Sequence, residues 1–209
     1  MEEEIKTLEA QIQSFYDTVR DAGSTFDPEL AKEFLETFEE FELSIDSFLS
    51  LEQYIDLMVL YFVTDNWRNP AKFLWKRIPK AMKKDKALVQ VWEIGKCLFQ
   101  YKYPEAAQAI RDFKGGNLSD YLRSGYYHIM NGFINQAYQN IDDDTYRLLM
   151  GFSSAKEQKA YLSYYNKEVQ PKIDAAKNEK IEINASHLDT LKKLAEFIEK
   201  EGATQIERE

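Results

Sequence analysis

Residues 65–83 read DNWRNPAKFLWKRIPKAMK. Asn69 and Pro70 form a helix start, because an asparagine side chain accepts hydrogen bonds from the first turn and proline suits the first helical position. Pro79 ends the helix, since the residue before a proline avoids the helical conformation. The pattern predicts one short helix whose aromatic face packs inward while its basic side chains stay in solvent. The inward residues are Phe73, Leu74 and Trp75, and the solvent-facing residues are Lys72, Lys76 and Arg77.

Helical periodicity continues upstream of this segment. It predicts an amphipathic helix over residues 3–21 and a second, acidic helix that starts at Asp27-Pro28. A third helix, capped by Ser50, is more apolar and is expected to be more buried. The acidic first part, residues 1–46, is therefore a helical N-terminal extension.

The downstream segment continues the helical pattern. We expect one helix over about residues 85–102, a shorter one from Pro104, and one capped by Ser119 that runs toward Ile141. Short helices joined by tight loops each bury one face against the next. Residues 47–141 are accordingly predicted to form an antiparallel, TPR-like helical-repeat stack.

The pattern changes after Ile141. Asp142-Asp143-Asp144 and Ser153-Ser154 are expected to cap two short helices. Alternating apolar residues over 169–173 and 180–183 predict a hairpin. The order helix, helix, hairpin is that of a small winged-helix α+β module, over residues 142–184. Ser186 then caps a last amphipathic helix within residues 185–209, so the fold class is mostly α.

Composition excludes several classes of protein. With 209 residues, 44% hydrophobic and 14% aromatic, the chain is expected to fold. The net charge of −9 argues against polyanionic partners, because cations dominate affinity for nucleic acid. Cys97 is the single cysteine, which excludes an internal disulfide framework. Without a long apolar run or a basic targeting signal at the acidic start, we expect the cytoplasm and nucleus.

Residues that carry chemistry are scarce, and we expect no catalytic residue, metal site or cofactor. His128 and His187 are far apart in the sequence, and neither has a second histidine at metal-ligand spacing. The aspartates at 142–144 are interpreted as helix capping, because a helix N-terminus stabilises carboxylates without a metal. Gly115-Gly116 lacks the lysine of a phosphate-binding loop, and Cys97 is expected to pack in the core.

Two groups of basic residues could bind partners. The first is a candidate contact for an acidic neighbour, with a solvated repeat surface as the alternative. The second lies in the predicted winged helix and raises a nucleic-acid hypothesis, which the acidic chain disfavours. The first group is Arg68, Lys72, Lys76, Arg77, Lys80, Lys83, Lys84 and Lys86; the second is Lys156, Lys159, Lys167, Lys172, Lys177 and Lys180.

The segment from Ala71 to Pro79 resembles the corresponding part of the COP-9 signalosome subunit-eight family. There an alanine, a basic residue and an aromatic precede leucine, tryptophan, lysine, arginine, isoleucine and proline, as they do here. The resemblance covers roughly residues 50–200, and residues 1–45 do not match it. The later elements resemble the second half of the PCI domain that the signalosome shares with the proteasome lid and initiation factor three.

The resemblance implies a non-catalytic PCI scaffold subunit of the signalosome, which removes a ubiquitin-like modifier from cullins in ubiquitin ligases. The isopeptidase is then another subunit, because this chain has no His-x-His pair for zinc. The partners implied are other signalosome subunits, met edge to edge through the winged helix and in a helical bundle through the C-terminal helix. The assembly contacts implied are Leu188, Leu191, Leu194, Ala195 and Ile198.

Two alternatives remain open at this stage. A PCI subunit of the proteasome lid or of initiation factor three would keep the same fold and scaffold role. A winged-helix nucleic-acid binder is a different class of protein, and its affinity would fall steeply with salt.

Overall fold

The computed structural model describes residues 2–21, 26–64 and 70–169, and this part of the chain is helical and contains no strand. The mostly helical class is therefore confirmed. The contacts between residues divide the chain into two compact units, Met1–Ser153 and Ser154–Glu209. None of the helices in the described ranges is both long and apolar enough to cross a membrane.

The helices of the first unit follow one another with short connections, and a 3₁₀ turn, Met82–Lys84, lies between the fourth and fifth. They are α1 (Glu2–Asp21), α2 (Pro28–Ser44), α3 (Leu51–Val63), α4 (Pro70–Arg77), α5 (Lys86–Phe99), α6 (Tyr103–Asp112), α7 (Ser119–Ala137) and α8 (Asp143–Met150). In the second unit, α9 (Ala155–Tyr164) continues into a π-helical turn, Tyr165–Val169, and the rings of Tyr161 and Tyr165 lie 5.9 Å apart.

Most of the predicted caps are present. Asp27 accepts hydrogen bonds from the backbone of Glu29 and Leu30 at the start of α2. Ser50 and Gln53 form a reciprocal capping box at the start of α3. Asp142 and Ser154 likewise cap α8 and α9. Each cap satisfies N–H groups that the first turn of a helix leaves free.

The predicted cap of α7 is wrong. Ser119 lies inside the helix, and the capping position belongs to Leu118, which makes no side-chain hydrogen bond there. Leu118 is fully buried, so packing rather than a polar side chain fixes this helix start. The helix also ends at Ala137, short of the expected Ile141. Asn69, the predicted cap of α4, lies outside the described residues.

Helix α3 forms the centre of the first unit. Every residue from Tyr54 to Val63 is buried, including the one charged residue, Asp56. A helix that is apolar on all sides needs neighbours all round it. These neighbours are α2, α4, α5 and α7.

The N-terminal extension packs on the chain's own helices. The ring of Phe15 in α1 stacks on Phe34 in α2 at 3.5 Å, nearly parallel. The same ring meets Tyr121 of α7 edge-on at 5.8 Å. Because α2 also packs on α3, helices α1 and α2 share one core with α3.

Helix α8 packs on α6 and α7 within the first unit. The hydroxyl of Tyr146 donates to Asn131 Oδ1 at 2.9 Å, and Tyr126 donates to the Leu149 carbonyl at 2.8 Å. Gly151, at φ 73°, ends the helix where an added Cβ would lie 2.6 Å from Ala107 Cβ. From the sequence we predicted that the residues of α8 belong to the winged-helix part. The domain boundaries themselves remain a prediction.

The predicted hairpin lies almost wholly outside the described residues, which end at Val169 in the π-helical turn. The C-terminal helix lies beyond them as well. The winged-helix module therefore remains a prediction.

Candidate interaction surface

A buried carboxylate is the main polar feature of the core. Asp56 accepts hydrogen bonds from Tyr16 Oη at 2.7 Å and from the backbone and side-chain nitrogens of Asn117, both at 3.0 Å. Burial raises the pKa of Asp56, while these hydrogen bonds act in the opposite direction by favouring the charged form. The group joins α1, α3 and the α6–α7 loop, and its enclosure indicates a structural role.

The short helix α4 presents a different face to the core than predicted. Ala71 and Leu74 are buried, as is Ile78 just after the helix, and this spacing follows one helical face. Phe73 is 56% exposed, and Trp75 is only partly covered. The prediction of an inward face is confirmed for Leu74 and wrong for Phe73, while Trp75 is intermediate, because the small and aliphatic residues fill the space beside α3.

The partly exposed ring of Trp75 on α4 contacts an aromatic ring of α5, which in turn meets a second one. Trp75 stacks on Trp92 at 4.6 Å with parallel rings, and Trp92 meets Phe99 edge-on at 5.7 Å. Offset or stacked pairs of this kind contribute about 0.5–1.5 kcal/mol beyond area burial. The stack spans two helices, so it also fixes their relative position at the surface.

Lysine side chains lie over these rings. Lys72 Nζ lies 4.7 Å from the Phe99 ring centre, and Lys83 Nζ lies 5.3 Å from that of Trp75. Lys76 Nζ lies 5.4 Å from the Phe73 ring centre. Each distance is within the range of a cation–π contact. We call this surface the cationic aromatic patch; its residues are Lys72, Phe73, Trp75, Lys76, Lys83, Trp92 and Phe99.

Charge is segregated between two neighbouring parts of the fold. Residues 28–46 carry seven acidic residues and one lysine: Glu29, Glu33, Glu36, Glu39, Glu40, Glu42, Asp46 and Lys32. Residues 70–86 carry seven basic residues and one aspartate: Lys72, Lys76, Arg77, Lys80, Lys83, Lys84, Lys86 and Asp85. Arg77 and Glu42 join the two at 2.7 Å. The chain therefore presents an acidic and a basic surface close together.

The remaining candidates among the described residues are Cys97 and His128. Cys97 is half-buried rather than packed in the core as expected, and burial raises the pKa of its thiol. His128 lies against the ring of Phe26 at 5.4 Å, and burial lowers its pKa. In the described ranges no group of three or more His, Cys, Asp or Glu side chains is placed to hold a metal ion.

Most of the other sequence-predicted binding residues fall outside the described part. That is true of Leu188, Leu191, Leu194, Ala195 and Ile198 and of Lys172, Lys177 and Lys180, whereas Lys156, Lys159 and Lys167 are exposed. Sequence reasoning missed Trp92 and Phe99. Their spacing of seven places them on one helix face, but it does not show that this face meets Trp75.

The described residues of the first unit form a helical stack that presents the cationic aromatic patch at its surface. The CSN8/PSMD8/EIF3K family matches the chain over residues 49–186, and the chain belongs to this family. The family resemblance predicted from the sequence is therefore confirmed.

Three relatives of this chain share the same name. COP9 signalosome complex subunit 8 of Danio rerio is 28% identical over 142 residues, which cover 65% of this chain and 74% of that protein. The proteins of the same name from Xenopus laevis and Xenopus tropicalis are 26% and 28% identical over 132 and 133 residues, in each case 61% of this chain and 68% of the relative.

Proposed function

We propose that this chain is a non-catalytic PCI scaffold subunit of the COP-9 signalosome, the complex that removes a ubiquitin-like modifier from cullin-RING ubiquitin ligases. The observation that supports it is the family match over residues 49–186, together with relatives that carry the name of signalosome subunit 8. We propose that the protein resides in the cytoplasm and nucleus, in line with its single cysteine.

A scaffold role fits the physical character of the described residues. The buried acid on α3 is bonded to partners from α1 and the α6–α7 loop, and the surface carries aromatic and charged side chains. In this proposal the PCI neighbours pair through the winged-helix part. The C-terminal helix adds Leu188, Leu191, Leu194, Ala195 and Ile198 to a helical bundle.

An affinity purification tests the complex directly. The tagged chain is recovered from its native cells, its partners are identified by mass spectrometry, and cullin deneddylation is assayed in the eluate. Signalosome subunits with deneddylating activity are expected. Subunits of the proteasome lid or of initiation factor three would contradict the signalosome assignment, and an unaccompanied chain would contradict a scaffold role.

A second assay tests whether the chain itself is catalytic. The purified chain alone is incubated with a neddylated cullin, and no release of the modifier is expected. Release by the isolated chain, at a rate proportional to its concentration, would overturn the non-catalytic part of the proposal.

A further inference from the structure

We propose that the cationic aromatic patch is a docking site for an acidic peptide segment of a partner protein, with one aromatic side chain of that segment as its anchor. The inference concerns residues of α4, of α5 and of the turn between them, none of which belongs to the predicted C-terminal helix. It does not depend on which complex the chain joins.

The anchor is expected to pack beside Phe73. This ring is 56% exposed, whereas Ala71 and Leu74 of the same helix are buried, and Lys76 Nζ lies 5.4 Å from its centre. Aromatic and arginine residues in partly enclosed positions dominate the energetics of protein interfaces. The rigid rings of the stack lose little conformational freedom when a partner binds, which favours affinity.

The charge that the site recognises is negative. Lys72, Lys76 and Lys83 are held over the faces of the rings by their cation–π contacts. Lys83 Nζ also lies 3.4 Å from the carbonyl oxygen of Lys76, which brings its ammonium group close to α4. Carboxylates next to an aromatic anchor would meet these ammonium groups, so acidic residues on both sides of the anchor are favoured.

The patch is held in place before a partner arrives. Ala71, Leu74 and Ile78 fix α4 to the core, and Pro79 follows two residues after the end of the helix. Arg77 is bound to Glu42, so this side chain ties α4 to α2. A surface held in this way needs little reorganisation on binding.

A protein partner is favoured over a nucleic acid. Single-stranded nucleic acid also uses aromatic rings and cations, but it carries one negative charge per phosphate along its whole length. Here the basic segment borders the acidic residues of α2, which would repel a polyanion that extends beyond the patch. A short acidic segment fits within the basic area.

Fluorescence anisotropy on the full chain tests the proposal. The probe is a fluorescein-labelled, glutamate-rich peptide with one central tryptophan. The comparison probes are the same peptide with serine for tryptophan, its lysine-rich counterpart, and a labelled oligouridine. We expect saturable binding of the first probe. Replacing its tryptophan with serine, or adding salt, should weaken this binding.

Variants locate the site. The double variant Lys72→Glu with Lys76→Glu is expected to lower the affinity for the acidic peptide about tenfold. Phe73→Ser is expected to lower it at least about fivefold. The matched control, Lys6→Glu with Lys32→Glu, changes the charge equally at two exposed lysines outside the patch and should leave affinity within about twofold. Because all four lysines and Phe73 are exposed, the variants are expected to fold, which circular dichroism checks.

Three results would overturn the proposal. The first is no binding of the acidic peptide. The second is an equal loss of affinity for the acidic peptide in the patch and control variants, which would indicate a non-specific charge effect. The third is tighter binding of the oligouridine than of the peptide, lost in the patch variants, which would assign the surface to nucleic acid.

Discussion

The hydroxyl of Tyr16 donates a hydrogen bond of 2.7 Å to the fully buried Asp56. The two residues are forty positions apart, in α1 and α3, so this bond joins the N-terminal extension to the central helix of the first unit. Asn117 completes the group from the α6–α7 loop. A buried charge is tolerated only when such donors compensate for lost water.

Removing the tyrosine hydroxyl should destabilise the fold. Tyr16→Phe keeps the ring but leaves Asp56 with one donor fewer, and we expect a loss of about 1.5–3 kcal/mol in the free energy of unfolding. Urea denaturation followed by circular dichroism measures it. Tyr138→Phe, at a residue 46% exposed, is the control and should stay within about 0.5 kcal/mol of the parent. Equal stability of the Tyr16 variant would contradict the role of this bond.

Asp56 should make stability depend on pH in a defined direction. Its folded pKa is raised above the ordinary value of 3.8, because burial disfavours the charged form. A group with a raised folded pKa contributes stability that is fully present below its unfolded pKa. That stability is lost as pH rises through the folded pKa.

The comparison with Asp56→Asn isolates this effect from other carboxylates. The parent should lose free energy of unfolding relative to the variant as pH rises from about 4 to about 7. Urea unfolding at a series of pH values measures the difference. A difference that stays constant over this range would show that the Asp56 pKa is not raised.

Two glycines should respond oppositely to alanine. At Gly116, φ is 71° and a Cβ would lie 2.7 Å from Asp56 Oδ1 and 2.8 Å from Ile55 Cγ2, so Gly116→Ala should cost at least about 1 kcal/mol. At Gly132, within α7, nothing lies within 4 Å of the added Cβ, so Gly132→Ala should stabilise by about 0.5–1 kcal/mol. Thermal and urea unfolding measure both. Equal effects would contradict the packing described for the α6–α7 loop.

Trp75→Ala should cost about 1–3 kcal/mol in the free energy of unfolding. This is less than the about 3–5 kcal/mol for a fully buried aromatic, because the ring is partly exposed and its main contact is the Trp92 stack. Urea unfolding followed by circular dichroism measures it. Phe73→Ala is the exposed control and should change stability by less than about 0.5 kcal/mol. A loss of about 5 kcal/mol at Trp75 would place that ring in the core.

Assembly should depend on the apolar face of the predicted C-terminal helix. Leu191→Asp with Ile198→Asp is expected to leave the N-terminal unit folded and to abolish incorporation into a complex, since a charged side chain cannot enter a helical bundle. Gel filtration and affinity purification from native cells measure incorporation.

The matched control lies on the opposite face of the same predicted helix. Lys193→Asp with Lys200→Asp introduces two aspartates at positions about half a turn away from Leu191, on a helix of about 3.6 residues per turn. These variants should assemble normally. Normal assembly of the variant with Leu191→Asp and Ile198→Asp would contradict the assembly role of this face.

Much of the local structure is written in the sequence itself. Periodicity and capping residues such as Asp27, Ser50 and Asp142 predicted where helices begin, because a cap acts within a few residues of its own position. The motif from Ala71 to Pro79 likewise identified the family. These features depend on short-range chemistry.

Only the tertiary structure decided which residues meet. The sequence predicted that Phe73 and Trp75 pack inward. In the structure, Ala71, Leu74 and Ile78 fill the space beside α3, whereas Phe73 is exposed and Trp75 is partly exposed. The Trp75–Trp92 stack likewise joins residues on separate helices. Helical spacing tells which residues share a face, but the neighbours across that face are set by packing of the whole unit.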